Sequence, residues 1–335
     1  MPDSYHVVIT DVIHEPDVER EVLDGIATVE PHNCTGNQEV AEAVRDADAV
    51  IIWHTVELRA DAIAGMRRCR GIARCGVGYD NIDLKAAGQR GIWVSNVPDY
   101  GTEEVADHTI GMLIAVSRRF AHMDKLIKSG VWDFNRARPV WRLRGQTLGI
   151  IGFGRIGSAV SLRARPLGLR VLAHDPYLRP GLEKSFGVEL VDLDTLLAES
   201  DFVTVHPPLT EETYHLMGEA TLRSMKPTAY LINAARGPIV DEAALIYALR
   251  QGWIAGAALD VLEHEPPAPD NPLLRMDNVL LTPHSAFYSE ESVTELRRKG
   301  AQDIARVLRG EPPRTPVNEQ YMRRSALISG GTRMP

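Results

Sequence analysis

With 335 residues, 44% apolar and 24% charged, the chain has enough material for about two ordinary domains with sizeable cores. Its net charge of −8 supplies no basic field to draw in nucleic acid or an anionic membrane surface, so neither is expected as a partner. Three widely spaced cysteines without a CxxC spacing offer neither a disulfide framework nor a metal site, and no apolar run reaches the ~20 residues of a bilayer span.

The first ten residues lack a basic leader pattern and run directly into a strand-like stretch, which predicts a cytoplasmic protein. Short apolar runs over residues 6–10, 49–53, 71–75 and 92–95 alternate with helix-like stretches. A second series covers 148–152, 170–174, 202–206, 229–233, 256–261 and 278–281. Short β-rich runs separated by helices predict two α/β blocks, each a doubly wound parallel sheet covered on both faces. Between the blocks, 103–119 reads as one long helix capped by Thr102, and 289–309 as a second that stops before Gly310. Both read as crossings, so the predicted substrate domain is discontinuous, 1–100 with 288–335, around a dinucleotide-binding domain at 101–287. From about Glu319 the chain loses its periodicity and reads as a loose tail.

The most specific local signal is Leu-Gly-Ile-Ile-Gly-Phe-Gly-Arg-Ile-Gly at 148–157, followed 18 positions later by Asp175. A strand, Gly152-x-Gly154-x-x-Gly157, a helix and a second strand ending in an acid form the dinucleotide-binding pattern. Gly152 serves the tight turn, Gly154 lets a pyrophosphate approach the backbone, and Gly157 lets helix and strand pack closely. The helix opening at Arg155 offers unpaired N–H groups and a positive dipole end to the phosphates. Asp175 is expected to accept both ribose hydroxyls and repel a 2′-phosphate, favouring NAD, with Arg179 the nearest opposing cation.

Ligands of open parallel sheets sit beyond the carboxyl ends of the strands. Three reactive side chains follow strands there: Arg236, Glu265 and His284. A histidine can exchange a proton with a carbonyl oxygen, an acid can fix its tautomer, and an arginine can grip a carboxylate through a bidentate fork. Taken singly, each also has an ordinary reading, as a surface ion pair, a turn cap or a packed ring. Their shared sheet edge is what points to hydride-transfer chemistry.

Several strings together are similar to the D-isomer-specific 2-hydroxyacid dehydrogenase family: Cys-Gly-Val-Gly-Tyr-Asp-Asn-Ile-Asp at 75–83, the stretch 143–157, Asn-Ala-Ala-Arg-Gly-Pro-Ile-Val-Asp at 233–241, Ala-Leu-Asp-Val-Leu-Glu-His-Glu-Pro at 258–266 and Thr-Pro-His at 282–284. The likeness spans about residues 5–318. Within the family, Trp53-His54-Thr55, Asp175-Pro176-Tyr177 and the stretch 284–290 most resemble the C-terminal binding protein branch of corepressors. The resemblance implies a Rossmann NAD-binding domain with a flavodoxin-like substrate domain. It also implies NAD-dependent, reversible reduction of a 2-oxo acid to the D-2-hydroxy acid, or else an NAD(H)-responsive binding protein with little turnover.

The same likeness assigns Arg236, Glu265 and His284 as catalytic, with no metal. It assigns NAD contacts to Val77, Thr102, Gly152, Phe153, Gly154, Arg155, Ile156, Gly157, Asp175, Pro207, Thr213, Ala234, Ala235, Arg236, Asp260 and His284. Substrate falls to Gly76, Val77, Gly78, Tyr79, Arg236, His284 and Phe287, the Gly76–Gly78 amides taking the carboxylate. Phe287 stands where the corepressor branch has tryptophan, and Tyr79, Phe287, Tyr100 and Trp141 suggest a substrate tail that is apolar or aromatic. The family implies a homodimer through the dinucleotide domain, for which residues 110–116 and the segment 127–141 with Trp132, Phe134 and Trp141 are the expected surface.

Overall fold

The computed structural model describes residues 4–179 and 181–322, and divides the chain into two compact units. One holds the residues up to Tyr100 and those from Ser289 onward; the other is Gly101–Tyr288. The second unit therefore ends one residue beyond the expected boundary.

In the first unit the strands are β1 (Tyr5–Ile9), β2 (Ala27–Pro31), β3 (Ala49–Ile52), β4 (Gly71–Arg74) and β5 (Trp93–Asn96). They form one parallel sheet in the order β2-β1-β3-β4-β5. Helices α1 (Asp17–Val22), α2 (Asn37–Ala43), α3 (Ala60–Gly65) and α4 (Leu84–Gln89) connect them. The central strands β3 and β4 are buried along their whole length, which is why they read as continuous apolar runs. Strand β2 escaped the sequence reading: it is an edge strand, half exposed and ending at a proline, so its apolar signal is diluted.

The second unit opens with α5 (Thr102–Ser117) and α6 (Phe120–Lys128). Thr102 does not cap α5: the cap is Gly101 and Thr102 is the first helical residue, one position too late for its hydroxyl to meet the free N–H groups. Strand β6 (Thr147–Ile151), α7 (Arg155–Ala164), β7 (Arg170–His174), α8 (Leu182–Phe186), β8 (Glu189–Leu190), α9 (Leu193–Glu199) and β9 (Phe202–Val205) follow. Then come α10 (Glu219–Ser224), β10 (Tyr230–Asn233), α11 (Glu242–Gln251), β11 (Gly256–Leu259) and β12 (Val279–Leu281). All seven strands of this parallel sheet run in the order β12-β11-β10-β9-β6-β7-β8. Neighbouring residues of one strand feed opposite cores. Leu231 joins Val203, Leu249 and Leu259 on one face, while Ile232 joins Ile150, Val160 and Leu113 on the other. The two-residue β8 was too short to register in the sequence.

Within residues 110–116, Ile110, Met112, Leu113 and Val116 pack in that second core with Ala159 and Val160 of α7, while Gly111 is exposed and Ile114 and Ala115 are half-buried. The aromatic segment is outside it: Trp132 is 87% exposed, Phe134 74% and Trp141 61%. Trp141 therefore lies on the surface, whereas Tyr100 is buried.

The last helix, α12 (Glu290–Leu308), belongs to the first unit and starts with a reciprocal cap between Ser289 and Ser292. Arg297 on it reaches the fully buried Glu19 of α1 at 2.7 Å. The chain then returns to β5: Val317 N–H donates to Val94 O at 2.9 Å, and the buried Asn318 side chain bridges Val94 N and Ile92 O. Residues 319–322 are not loose, since Glu319–Tyr321 form a short 3-10 turn and Met322 is buried. The rest of the expected tail lies outside the described residues.

Candidate active site

The carboxyl edge of the second unit's sheet carries six sequence segments: the turn after β6, Asp175 after β7, Pro207 after β9, Arg236 after β10, Asp260 after β11 and His284 after β12. Gly152 has φ +84°, and a Cβ there would lie 2.6 Å from the Pro207 backbone nitrogen, so only glycine fits this crossing. A Cβ on Gly157 would strike Gly152 O. At Gly154, by contrast, it would meet no protein atom within 4 Å, so the approach to that backbone is clear. Helix α7 begins at the next residue, Arg155, and its first N–H groups have no intrahelical acceptor. An open glycine beside a helix N-terminus suits a pyrophosphate. Asp175 accepts Phe153 N–H at 2.9 Å through one carboxylate oxygen and Tyr177 N–H at 2.9 Å through the other. Both oxygens keep a second lone pair for hydroxyl donors.

Thr213 folds its own turn, its hydroxyl donating to Pro208 O at 2.6 Å. Ala234 meets Val105, Ala286, Ile156 and Phe287 in one small apolar cluster. That cluster brings the start of α7, the end of β10 and the segment after β12 together, and Gly101 packs against Phe287 beside Thr102.

His284 Nδ1 lies 2.6 Å from Glu265 Oε2. The other oxygen of Glu265 accepts Leu262 N–H at 2.9 Å, so the acid is a turn cap and a histidine partner at once. A carboxylate can only accept, so Nδ1 carries the proton and Nε2 is the acceptor nitrogen of the neutral ring. His284 adopts φ +52°, a left-handed conformation that costs a non-glycine residue roughly 1–2 kcal/mol. Its N–H donates to Asp260 O at 2.7 Å, and the Asp260 carboxylate accepts the N–H groups of Ser285 and Ala286, each at 2.9 Å. The Phe287 ring stands edge-on to the imidazole with centroids 6.4 Å apart.

Arg236 sits just before a 3-10 turn, Gly237–Ile239, with Nη1 donating to Ala235 O at 2.8 Å. Asn233 braces this corner, accepting Ala235 N–H and donating to Arg236 O. A Cβ on Gly237 would overlap Leu262 O, so glycine permits the corner holding Arg236 to press against the loop leading to Glu265. Sequence reasoning missed that loop's second anchor, where His215 Nε2 contacts Glu263 and Tyr214 stacks on the imidazole at 4.0 Å. It also missed His206, whose buried Nδ1 has no partner and whose pKa burial pushes down to about 3. Neither carries a motif; only the fold places them here.

In the first unit, Gly76 has φ +143°, and a Cβ there would collide with the Arg74 guanidinium beneath it. Asn96 Nδ2 donates to Val77 O at 2.6 Å, steadying a loop on which Val77 and Tyr79 are exposed. Burial pushes the Cys69 thiol up to about 12 and the Cys75 thiol higher still, so neither is a thiolate nucleophile near neutrality.

The doubly wound sheet, its glycine turn and the acid after the second strand of the motif define a dinucleotide-binding α/β protein. The model for "D-isomer specific 2-hydroxyacid dehydrogenase, NAD binding domain" matches residues 110–286. A glyoxylate reductase of Korarchaeum cryptofilum is 45% identical over 288 residues, covering 85% of this chain and 86% of that one. A D-3-phosphoglycerate dehydrogenase of Archaeoglobus fulgidus is 40% identical over 93% of this chain, which spans 59% of that longer protein. The solved D-lactate dehydrogenase of Aquifex aeolicus, complexed with NAD and lactic acid, superposes with a TM-score of 0.82 at 32% identity, covering 91% and 96% of the two chains. The chain belongs to the D-isomer-specific 2-hydroxyacid dehydrogenase family and is an NAD-dependent enzyme of that class. Among the described residues no helix is long and apolar enough to cross a membrane.

Proposed function

We propose that the enzyme reduces a small 2-oxo acid to the D-2-hydroxy acid, with His284 as the proton donor and the reverse reaction using it as acceptor. The 2.6 Å contact between His284 Nδ1 and Glu265 carries this reading. NADH, when bound, supplies the hydride. Glu265 holds the ring so that Nε2 delivers a proton to the carbonyl oxygen and stabilises the imidazolium form in the reverse direction. Arg236 polarises the carbonyl and pairs with the carboxylate. The names of the relatives, glyoxylate reductase among them, favour a short 2-oxo acid. The half-buried edge-on Phe287 also suits an apolar tail. The glyoxylate reductase and phosphoglycerate dehydrogenase relatives favour turnover over the corepressor-like role implied by the strings at 53–55 and 284–290.

The test is steady-state turnover of NADH with glyoxylate, pyruvate, hydroxypyruvate and phenylpyruvate. His284→Gln should lower kcat by about 10²–10⁴-fold while NADH still binds. Tight NADH binding with negligible turnover on the whole panel would overturn the reading in favour of a cofactor-sensing binding protein. The proposal extends to a homodimer through the segment that carries the exposed aromatics Trp132, Phe134 and Trp141.

A further inference from the structure

His108 lies on α5, far along the chain from Thr282 and Asp260, and its side chain is three-quarters buried. Its Nε2 stands 3.0 Å from Thr282 Oγ1 and 3.6 Å from Asp260 Oδ1. The Thr282 hydroxyl lies 2.6 Å from the same Asp260 oxygen. A hydroxyl has one proton, and a carboxylate has none to give. The Thr282 proton must therefore lie on the line to Asp260, and His108 must present Nε2–H to Thr282 Oγ1. The tautomer of His108 is fixed by this count.

The Asp260 carboxylate is the hub of the arrangement. It is 3% exposed and accepts Thr282 Oγ1–H, Ser285 N–H and Ala286 N–H. Its own carbonyl accepts His284 N–H. One buried residue thus grips the backbone at His284 and at the two residues after it, and so maintains a left-handed conformation that an unsupported histidine would leave.

We propose that His108 is a positioning residue for the reduction. Through Thr282 it orients the Asp260 carboxylate, which holds the turn that aims His284 and keeps Nδ1 on Glu265. The proposal rests on the reading of His284 as the proton donor. Nothing in it requires His108 to touch substrate or cofactor.

The experiment compares His108→Leu, His108→Gln and Thr282→Val with the wild-type enzyme on its best 2-oxo acid. His108→Leu should lower kcat between about tenfold and a hundredfold, with KM for the 2-oxo acid changed by less than about threefold. The isotope effect with NADH deuterated at the transferred position should rise, because a misaimed proton donor makes the chemical step slower. His108→Gln keeps an N–H donor of similar reach and should recover most of kcat. Thr282→Val should match His108→Leu, and the double variant should be no worse than either single one. An unchanged kcat and isotope effect in His108→Leu would overturn the proposal, whether or not the melting temperature falls. So would a His108→Gln as impaired as the leucine variant. Full turnover in His284→Gln would instead remove the parent reading, a separate outcome from a silent His108 beside an inactive His284→Gln.

Discussion

Asp175 Oδ2 accepts the Phe153 backbone N–H at 2.9 Å, tying the end of β7 to the glycine-rich turn after β6. The acid proposed to select the cofactor is therefore also part of the glycine-rich turn. Asp175→Ala should raise the NADH dissociation constant about tenfold or more, given ~1.5–3 kcal/mol for a hydrogen bond to a charged group. The preference for NADH over NADPH should shrink in the same variant, because the repelling charge is gone. Fluorescence titration with both cofactors checks this; an unchanged NADH to NADPH ratio would contradict the assignment.

Glu265 divides its two oxygens between His284 and Leu262 N–H. Glu265→Gln can keep one acceptor but not the charge, whereas Glu265→Ala loses both contacts. The expected order of kcat is wild type, then glutamine, then alanine, with the alanine variant down by about 10²-fold or more. Rates for the three enzymes at saturating NADH give the comparison.

Arg236→Lys keeps a positive charge but loses the planar fork. Its KM for the 2-oxo acid should rise and kcat fall, together by at least about tenfold in kcat/KM, with NADH affinity nearly intact. Equal losses in NADH affinity and in substrate use would show that Arg236 serves the cofactor instead.

His206 gives a pH dependence with a definite sign. Its pKa is lowered by burial to about 3, so between roughly pH 3 and 6.5 the unfolded chain binds a proton there that the folded one does not. Stability contributed by the neutral ring is fully present above that window and is lost as pH falls through it, at up to about 1.4 kcal/mol per pH unit. His206→Asn should fall less between pH 7 and 5 than the wild type does, measured by urea denaturation at each pH. Parallel slopes for the two proteins would count against it.

The exposed aromatics give the last expectation. Trp132→Glu with Phe134→Glu should convert a dimer to monomers in sedimentation equilibrium while leaving the fold, read by circular dichroism, unchanged. A wild-type monomer would refute the association outright.

Much of this protein is written locally in its chain. The buried strands β3, β4, β6 and β9 announce themselves because both faces are covered, so nearly every side chain is apolar. The glycine turn is legible because a positive φ and a close backbone crossing admit no other residue type. Arg236, Glu265 and His284 can be picked out because strand ends of a parallel sheet share one edge.

What depends on long-range packing was hidden. Strand β2 lies at an edge, and the fate of residues 110–116 turned on which side of α5 met the sheet. The grip of Asp260 on the His284 turn, the tie from His108 through Thr282, and the unpartnered buried Nδ1 of His206 involve residues with no sequence periodicity between them. Periodicity reports which face a residue lies on, because side-chain direction repeats along one element. It carries nothing about which atom of a distant element will be 3 Å away; tertiary packing alone sets that.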